Sequence, residues 1–137
     1  MAIEVKEVDK VEILTLQDNY IDMAAFDSTA IVQRAMPVRD MEIKSSILAE
    51  HGYSAVVTLT KADKSRSVIF DFGFSEHGAS FNADALGVDL NTVEAMVLSH
   101  GHMDHFGGLV SLARRIGKTG VELVLHPTAF RKRRYEG

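Results

Sequence analysis

The amino-acid sequence predicts a single domain of the mixed α/β class that spans residues 1–137. Two neighbouring segments indicate this class most directly. The run from Val93 to Leu98 is short and apolar, as in a buried strand. The run from Leu109 to Ile116 repeats its apolar residues at helical spacing. A length of 137 residues and a hydrophobic content of 46% are enough for one such domain with its own core.

The first third of the chain contains one predicted strand and a long connection. Val11 to Leu16 alternate in character, which predicts a half-buried strand. Asp27 and Ser28 are suited to cap a short helix that we expect to continue through Gln33. The stretch from residue 22 to residue 44 carries mixed charges and several methionines. We expect much of it to form a loop over the site described below.

Two β-rich runs follow, at residues 53–60 and 67–71. The polar residues 61–66 between them predict a turn, so the two runs are expected to form a hairpin. Residues 76–86 have no decisive pattern, because Gly78 weakens the helix that their neighbours would otherwise favour.

The last third of the chain contains further short elements. Residues 86–90 are typical of a helix end followed by a turn, and residues 122–125 predict another strand. A short helix is expected to begin near Pro127. We expect the basic residues 131–134 to lie on its exposed face, although such a cluster would also suit phosphates or RNA.

The segment after the predicted buried strand holds four metal-capable side chains within six residues: His100, His102, Asp104 and His105. In extended chain, residues two apart point to the same side, so His100 and His102 can hold one ion. Asp104 and His105 are adjacent, and a turn would direct both of them toward a second ion. The two glycines at 107–108 would let the backbone pass close to this site. Loops at the carboxyl ends of strands are also where α/β folds commonly hold ligands.

The ligand types indicate which metals suit this motif. Imidazole and carboxylate together favour a borderline divalent ion, so we expect zinc, with iron or manganese as alternatives. The chain has no cysteine, which excludes thiolate zinc fingers and iron–sulfur clusters. The opposing interpretation is a histidine-rich turn that binds nothing. We favour the metal site, because four such groups without a role would repel one another when protonated and would be costly to bury.

This motif resembles the signature of the metallo-β-lactamase fold superfamily. Residues 67–73, which end in Asp71-Phe72-Gly73, resemble the superfamily's strand that ends in Asp-x-Gly. Three further segments resemble a narrower branch, the 7,8-dihydropterin-6-methyl-4-(β-D-ribofuranosyl)aminobenzene-5′-phosphate synthase-like metal-dependent hydrolases: residues 14–20, 50–55 and 125–133.

The resemblance implies a fold, a cofactor and a reaction. The fold would be the N-terminal half of an αββα sandwich, with a mixed β-sheet and flanking helices. His100 and His102 would hold the first of two zinc ions, and Asp104 and His105 the second. A hydroxide activated by both ions would attack a phosphoester or a related ester or amide, and Asp104 would orient or deprotonate this nucleophile. The branch also implies a small-molecule substrate that is phosphorylated or resembles a pterin.

The sequence departs from that superfamily after the motif. Members continue further and supply another histidine for the first metal, an aspartate that bridges both metals and a last histidine for the second. Here no aspartate follows Asp104, and the one later histidine, His126, matches a structural segment by the resemblance. We therefore expect a truncated domain whose site is completed by a missing C-terminal half or by another chain, or else a relic with an incomplete site.

Two consequences follow from this departure. Half of a sandwich would leave an apolar sheet face exposed, which favours a homo-oligomer or another partner. The alternative function is that of an incomplete, non-catalytic metal-binding fragment or a partner-binding module.

Three further side chains are candidates near the metals. Asp71 ends a predicted strand, and the resemblance favours a role in orienting a metal-bound histidine over that of a turn residue. Asn19 also follows a strand and is either a pocket residue or a turn former. His51 precedes a glycine and either contacts the substrate or the metal-bound water, or is a solvated loop residue.

Composition and charge argue against several other classes. The net charge of −4 provides no general footprint for nucleic acid. The first residues carry charges instead of the apolar run of a secretory signal, and no segment is long enough to span a bilayer. We therefore expect a cytoplasmic protein without a membrane partner.

Overall fold

The fold is a five-stranded mixed sheet with helices, in a computed structural model that describes residues 5–39, 41–43 and 45–131. In chain order, the strands are β1 (Lys10–Gln17), β2 (Val38–Arg39), β3 (Glu42–Ile43), β4 (Ser54–Lys61), β5 (Lys64–Phe70), β6 (Val93–Leu98) and β7 (Glu122–Leu125). The helices are α1 (Gly78–Ala85), α2 (Met103–Phe106) and α3 (Leu109–Ile116), and 3₁₀ turns span Leu90–Thr92 and Pro127–Phe130. This arrangement confirms the predicted fold class.

The direction of the strands positions the candidate site. The main sheet has the order β1-β4-β5-β6-β7, and β2 and β3 form a separate ribbon. The pairs β1–β4 and β4–β5 are antiparallel, whereas β6 runs parallel to both β5 and β7. The carboxyl ends of β5, β6 and β7 therefore meet at one edge of the sheet. Asp71 follows β5 and the histidine motif follows β6, so the register brings them together at that edge.

The hairpin predicted from the two β-rich runs forms, but its turn is shorter than the polar segment indicated. The strands β4 and β5 pair as far as Lys61 opposite Lys64. Only Ala62 and Asp63 make the turn, and Ala62 has a φ of 52°, the left-handed conformation that favoured two-residue hairpin turns use. The other polar residues of the segment belong to paired, exposed strand ends, so their polarity did not mark a loop.

One face of the sheet packs against α1 and α3 and forms the core. Ile69 and Met96 of the sheet are buried there with Leu112 and Ile116 of α3. Leu112 and Ile116 are four residues apart and share one helix face, which is the spacing that predicted this helix. Burying each such side chain stabilises the fold by about 1.5–3 kcal/mol. The helix then ends at Gly117, whose φ of 65° suits the left-handed C-cap.

The opposite face of the sheet is apolar and more exposed. Ile13, Phe70 and Val124 remain 64%, 37% and 51% exposed there. The register places Phe70 beside Val97 and Val97 beside Val124, so these side chains form one continuous surface. In the described part of the chain, no element covers this surface to the extent that α1 and α3 cover the core face. An exposed apolar face is what the sequence predicted for half of a sandwich.

The short helix predicted for residues 27–33 is wrong. This segment is irregular, and its hydroxyl side chains bond to nearby backbone groups. The Thr29 hydroxyl oxygen accepts hydrogen bonds from the amides of Ile31 and Val32 at 3.2 and 2.9 Å. Local side-chain bonds of this kind compete with the helical hydrogen bonds that the same backbone would otherwise make. The described remainder of residues 22–44 is irregular too, apart from β2 and β3.

The remaining elements lie close to their predicted positions. The ambiguous residues 76–86 contain α1, and Gly78 is its first residue instead of an interruption. The helix expected near Pro127 is a single 3₁₀ turn. Of the basic cluster 131–134, only Arg131 is among the described residues, so the prediction for the others lies outside them. None of the helices in the described ranges is long and apolar enough to cross a membrane.

Candidate metal centre

The motif occupies the turn between β6 and α3. β6 ends at Leu98, the chain bends at Ser99, and the backbone is extended at His102, whose φ and ψ are −83° and 145°. The single helical turn α2 then carries Asp104 and His105. The motif therefore changes from extended to helical between its second histidine and its aspartate. This change of conformation is the predicted turn, which lets Asp104 and His105 point in a different direction from the first two histidines.

His100 and His102 form the first pair of donors. The Nε2 atom of His100 lies 3.0 Å from the Nδ1 atom of His102, and the two rings meet edge to face with centroids 4.5 Å apart. Two nitrogens that share a tetrahedral zinc ion at about 2.0–2.1 Å would be separated by about 3.3 Å. The observed separation is therefore close to what a shared ion requires.

Asp104 and His105 form the second pair. The Nε2 atom of His105 lies 3.4 Å from Oδ2 of Asp104, and the side chains are 21% and 20% exposed. The rings of His100 and His105 have centroids 4.2 Å apart, so the second pair adjoins the first. The structure thus brings the four predicted ligands into one cluster that consists of two neighbouring pairs.

Asp71 lies behind both pairs and is almost fully buried, with 2% of its side chain exposed. Its Oδ1 accepts a hydrogen bond from the amide of Ser99 at 2.8 Å. Its Oδ2 accepts one from the Ser99 hydroxyl and lies at the same distance, 2.7 Å, from Nδ1 of His105. Asp71 has a φ of 57°, and such left-handed residues often mark functional positions. Asp71 is therefore placed to orient a histidine, as the resemblance implied.

His51 contacts Asp104, and Asn19 in turn contacts His51. The Nε2 atom of His51 is 3.3 Å from Oδ2 of Asp104, and its Nδ1 is 3.0 Å from Oδ1 of Asn19. Gly52 has a φ of 115°, and a Cβ there would overlap the carbonyl oxygen of Asp104. This close approach brings His51 to the site while leaving its side chain 72% exposed. All three additional candidates from the sequence analysis are therefore in the cluster.

The glycines after the motif permit a close packing of backbones. A Cβ at Gly107 would overlap the carbonyl oxygen of Phe74, and one at Gly108 would overlap that of Phe72. The amide of Gly107 donates to the carbonyl of Gly73 at 2.9 Å, and the amide of Phe72 donates to the carbonyl of His105 at 2.8 Å. The backbone of the motif is therefore fixed against the segment that follows β5.

The surroundings of His100 favour its neutral form. Removal from water lowers the pKa of His100 below the ordinary histidine value, and the nearby His105 and His102 lower it further. His100 is therefore neutral near pH 7, which is the form that binds metal.

The donor types fit a divalent ion of the zinc class, but the described residues provide them only in pairs. Nowhere in those residues do three or more histidine or acidic side chains converge in a way that would hold one ion. Zinc takes four ligands in structural sites and three protein ligands plus an open position in catalytic sites. His100 with His102, and Asp104 with His105, can each supply half of such a set.

Sequence analysis missed Ser99, which connects the two pairs. Its hydroxyl lies 2.9 Å from Nδ1 of His100 as well as 2.7 Å from Oδ2 of Asp71. The only sequence signal was a hydroxyl residue directly before the first histidine. That signal is weak, because serine is common after strands and in turns.

A cavity of about 470 Å³ opens beside the first pair. It is bordered by His102 and Met103 of the motif, by Phe106 and Leu125, and by Arg131. This volume lies in the range of small-molecule sites, and the walls are mainly apolar.

Comparisons with known proteins agree with the motif. The family model described as the metallo-beta-lactamase superfamily matches residues 49–137, which include the whole motif. The chain is also similar to the 7,8-dihydropterin-6-methyl-4-(beta-D-ribofuranosyl)-aminobenzene-5'-phosphate synthase of Methanocaldococcus jannaschii. The two are 24% identical over 131 residues, which are 96% of this chain and 37% of that protein.

The chain is also similar in sequence to two metallo-beta-lactamases of known structure. The Rm3 metallo-beta-lactamase is 29% identical with a TM-score of 0.41, and the MIM-2 metallo-beta-lactamase is 27% identical with a TM-score of 0.42. Each match covers 58% of this chain and 31% of the other. The chain thus spans about a third of the length of the proteins that it matches.

Proposed function

The chain belongs to the metallo-beta-lactamase superfamily, and from this premise we propose that it is the metal-binding part of a metal-dependent hydrolase with a binuclear site. His100 and His102 hold the first ion, and Asp104 and His105 hold the second. Zinc is the proposed metal, with iron and manganese as alternatives, because imidazole and carboxylate suit all three.

The observation that carries this proposal is the arrangement of the donors in two adjoining pairs. The donor atoms are 3.0 Å apart in the first pair and 3.4 Å apart in the second, and the rings of His100 and His105 bring the pairs into contact. A single ion would need the four side chains to converge. Two neighbouring ions need the two pairs that the structure contains.

Divalent ions in such a site supply Lewis acidity that lowers the pKa of water and stabilises a developing oxyanion. The residues of this chain position that chemistry. The carboxylate of Asp104 also accepts hydrogen bonds, so it can orient the attacking water or take its proton. His51 contacts Asp104 and remains exposed, which suits a contact to the substrate.

The proposed substrate is a phosphoester or a related ester or amide of a small molecule. The name of the archaeal relative describes a dihydropterin linked through ribofuranosyl to a phosphate, and the cavity beside His102 has apolar walls with Arg131 at its border. Apolar walls suit a pterin-like ring, and a guanidinium suits a phosphate. Each ion needs further ligands, which under this proposal come from another copy of the chain.

A second candidate function is a non-catalytic metal-binding or partner-binding module. One observation favours it: the described residues contain no group of three donors that converge to hold one ion. Two ligands hold a metal weakly, and a weak site without an activated water would not hydrolyse a substrate.

Metal content distinguishes these two functions. We expect about two tightly held ions per chain after dialysis, measured by elemental mass spectrometry on the purified 137-residue protein. One weakly held ion or none would contradict the binuclear proposal for this chain and support the module. The oligomeric state, measured by light scattering on the same sample, shows whether a second copy completes the site.

Replacing Asp104 tests the assignment of the second pair. We expect Asp104→Ala to lose one of the two ions and to reduce metal-dependent phosphodiester hydrolysis by at least about 100-fold, because partners outside the ligand set already cost 10–100-fold. Asp63→Ala, at an exposed aspartate in the β4–β5 turn, is the matched control and should change neither quantity. Unchanged metal-dependent hydrolysis in Asp104→Ala would disprove the assignment.

A further inference from the structure

The hydrogen bonds behind the two donor pairs converge on one carboxylate. Asp71 contacts His105 directly and His100 through the hydroxyl of Ser99. We propose that Asp71 and Ser99 are positioning residues that fix the tautomers of both histidines, so that each presents the lone pair of its Nε2 atom to the metal centre. This inference rests on the proposed function for its purpose, although the tautomers themselves are properties of the metal-free chain.

For His105 the direction of the proton follows from the carboxylate. A carboxylate can only accept hydrogen bonds. The 2.7 Å contact between Nδ1 of His105 and Oδ2 of Asp71 therefore places the proton on Nδ1. A neutral imidazole carries one proton, so Nε2 of His105 keeps its lone pair. That atom is the one that faces Asp104, at 3.4 Å.

For His100 the same carboxylate acts through Ser99. The serine hydroxyl has one proton, and its oxygen lies 2.7 Å from Oδ2 of Asp71 and 2.9 Å from Nδ1 of His100. Because Asp71 can only accept, the hydroxyl must donate to it. The hydroxyl oxygen is then left to accept from His100, which places the second imidazole proton on Nδ1 as well.

The tautomers set in this way match the positions of the donor atoms. His100 turns its Nε2 atom to His102 at 3.0 Å, and His105 turns its Nε2 atom to Asp104. In both rings, the proton is on Nδ1, and the unprotonated Nε2 atom is the one that faces the other member of the pair. A histidine ligand is commonly oriented by a partner on its second nitrogen, and here one buried aspartate serves a histidine in each pair.

The environment of Asp71 makes this control effective. Its side chain is 2% exposed, so water does not compete for its oxygens. The Asp71 carboxylate accepts three hydrogen bonds, from the amide and the hydroxyl of Ser99 and from the ring of His105. Its backbone is held by bonds from its amide to Val97 and from the Ser54 hydroxyl to its carbonyl, both at 2.9 Å.

The first experiment determines the tautomers in the metal-free chain by nitrogen-15 NMR, at roughly pH 8, where imidazoles are neutral. We expect Nδ1 to be protonated in both His100 and His105. His126 is an internal reference of the opposite type, because its Nδ1 accepts from the amide of Thr128 at 3.3 Å and must leave the proton on Nε2. Protonation of His100 or His105 on Nε2 would overturn the inference, regardless of the results with the Ser99 variants.

Substitution of Ser99 then tests whether the tautomer of His100 depends on the serine hydroxyl while that of His105 does not. Ser99→Ala retains the backbone amide that bonds to Asp71 and removes only the hydroxyl. We expect His100 to lose its fixed tautomer while His105 keeps its own, and we expect Ser99→Thr to restore His100. Thr128→Ala removes a hydroxyl that lies 2.7 Å from Nδ1 of another histidine, His126, and is the matched control that should leave the cluster unchanged. An unchanged His100 in Ser99→Ala would contradict the relay.

Titration with cobalt(II), followed by its visible absorption, connects the tautomers to the metal. We expect Ser99→Ala to weaken cobalt binding at the first pair by about 10-fold, and Ser99→Thr to recover most of that loss. If the wild-type chain binds no cobalt although both tautomers are as expected, the proposed function fails and the tautomer control stands. If cobalt binds and the variants bind it equally, the inference fails and the proposed function stands.

Discussion

The loop that carries the motif, which includes the single turn α2, and the irregular connection between β1 and β2 are held in different ways. The motif loop, residues 99–108, bonds to other parts of the chain through backbone groups and a buried carboxylate. The β1–β2 connection, residues 18–37, bonds largely to itself, as in the contact between the Thr29 amide and the carbonyl of Val32 at 2.7 Å. Within the described residues, hydrogen bonds join its beginning to the rest of the chain, from Asp18 to Glu50 and from Asn19 to His51.

This difference indicates which loop can hold a reaction centre. A ligand set must be held in one geometry, and the fixed backbone of the motif loop provides it. The connection instead exposes large apolar side chains, with Phe26 and Ile31 fully or almost fully exposed. The hydrogen bonds described for its middle, such as those to the Thr29 hydroxyl, are local. The different contacts of the two loops therefore predict different responses to substitution and to solvent.

The largest expected effect concerns the close packing of the motif loop. Gly107→Ala should lower the free energy of unfolding by about 3 kcal/mol, because the new Cβ overlaps the carbonyl oxygen of Phe74, which is backbone and cannot rotate away. Gly107 has a φ of −57°, so the cost would not come from its conformation. Urea unfolding measures the change. Gly120→Asn, where a Cβ meets nothing within 4 Å, is the control, and a loss below about 1 kcal/mol in Gly107→Ala would contradict the comparison.

An intermediate effect is expected in amide hydrogen exchange. The amides of Phe72 and Gly107, which join the motif loop to the segment after β5, should exchange at least about 10-fold more slowly than those of Ile31 and Val32. The latter two bond only to a threonine hydroxyl within the connection. Exchange followed by NMR tests this, and equal rates at the four amides would show that both loops open together.

The smallest effect is electrostatic and lies in the connection. The hydrogen bond from Arg34 lowers the pKa of the Asp27 carboxyl below the ordinary aspartate value. Such a shift favours the folded chain above the ordinary pKa, and the contribution is lost as the pH falls through the lowered value. Arg34→Ala should raise the pKa of Asp27 toward its ordinary value in an NMR titration, whereas Arg66→Ala should leave it unchanged. The Asp27 side chain is 72% exposed, so solvent screens the pair and no change in the urea midpoint is expected.

The sequence was most informative where local spacing sets the structure. The apolar run before the motif is β6, the helical spacing after it is α3, and His100 and His102, two positions apart in the chain, bring their rings together. The short helix at residues 27–33 was wrong because its capping pattern is equally suited to local side-chain bonds. That competition depends on which bonds the tertiary structure leaves free, and spacing does not reveal it.

By itself, therefore, the sequence determined the class of the fold, the strand–motif–helix unit and the identity of four candidate ligands. Only the tertiary structure decided which residues form hydrogen bonds with these ligands. Asp71 is 28 residues from Ser99 and 34 residues from His105, and these contacts exist because parallel pairing of β5 with β6 brings the carboxyl ends of both strands to one edge. The physical reason is that sequence patterns report contacts between residues close in the chain. The contacts of the buried Asp71 carboxylate are instead made with residues that the pairing of β5 with β6 brings near.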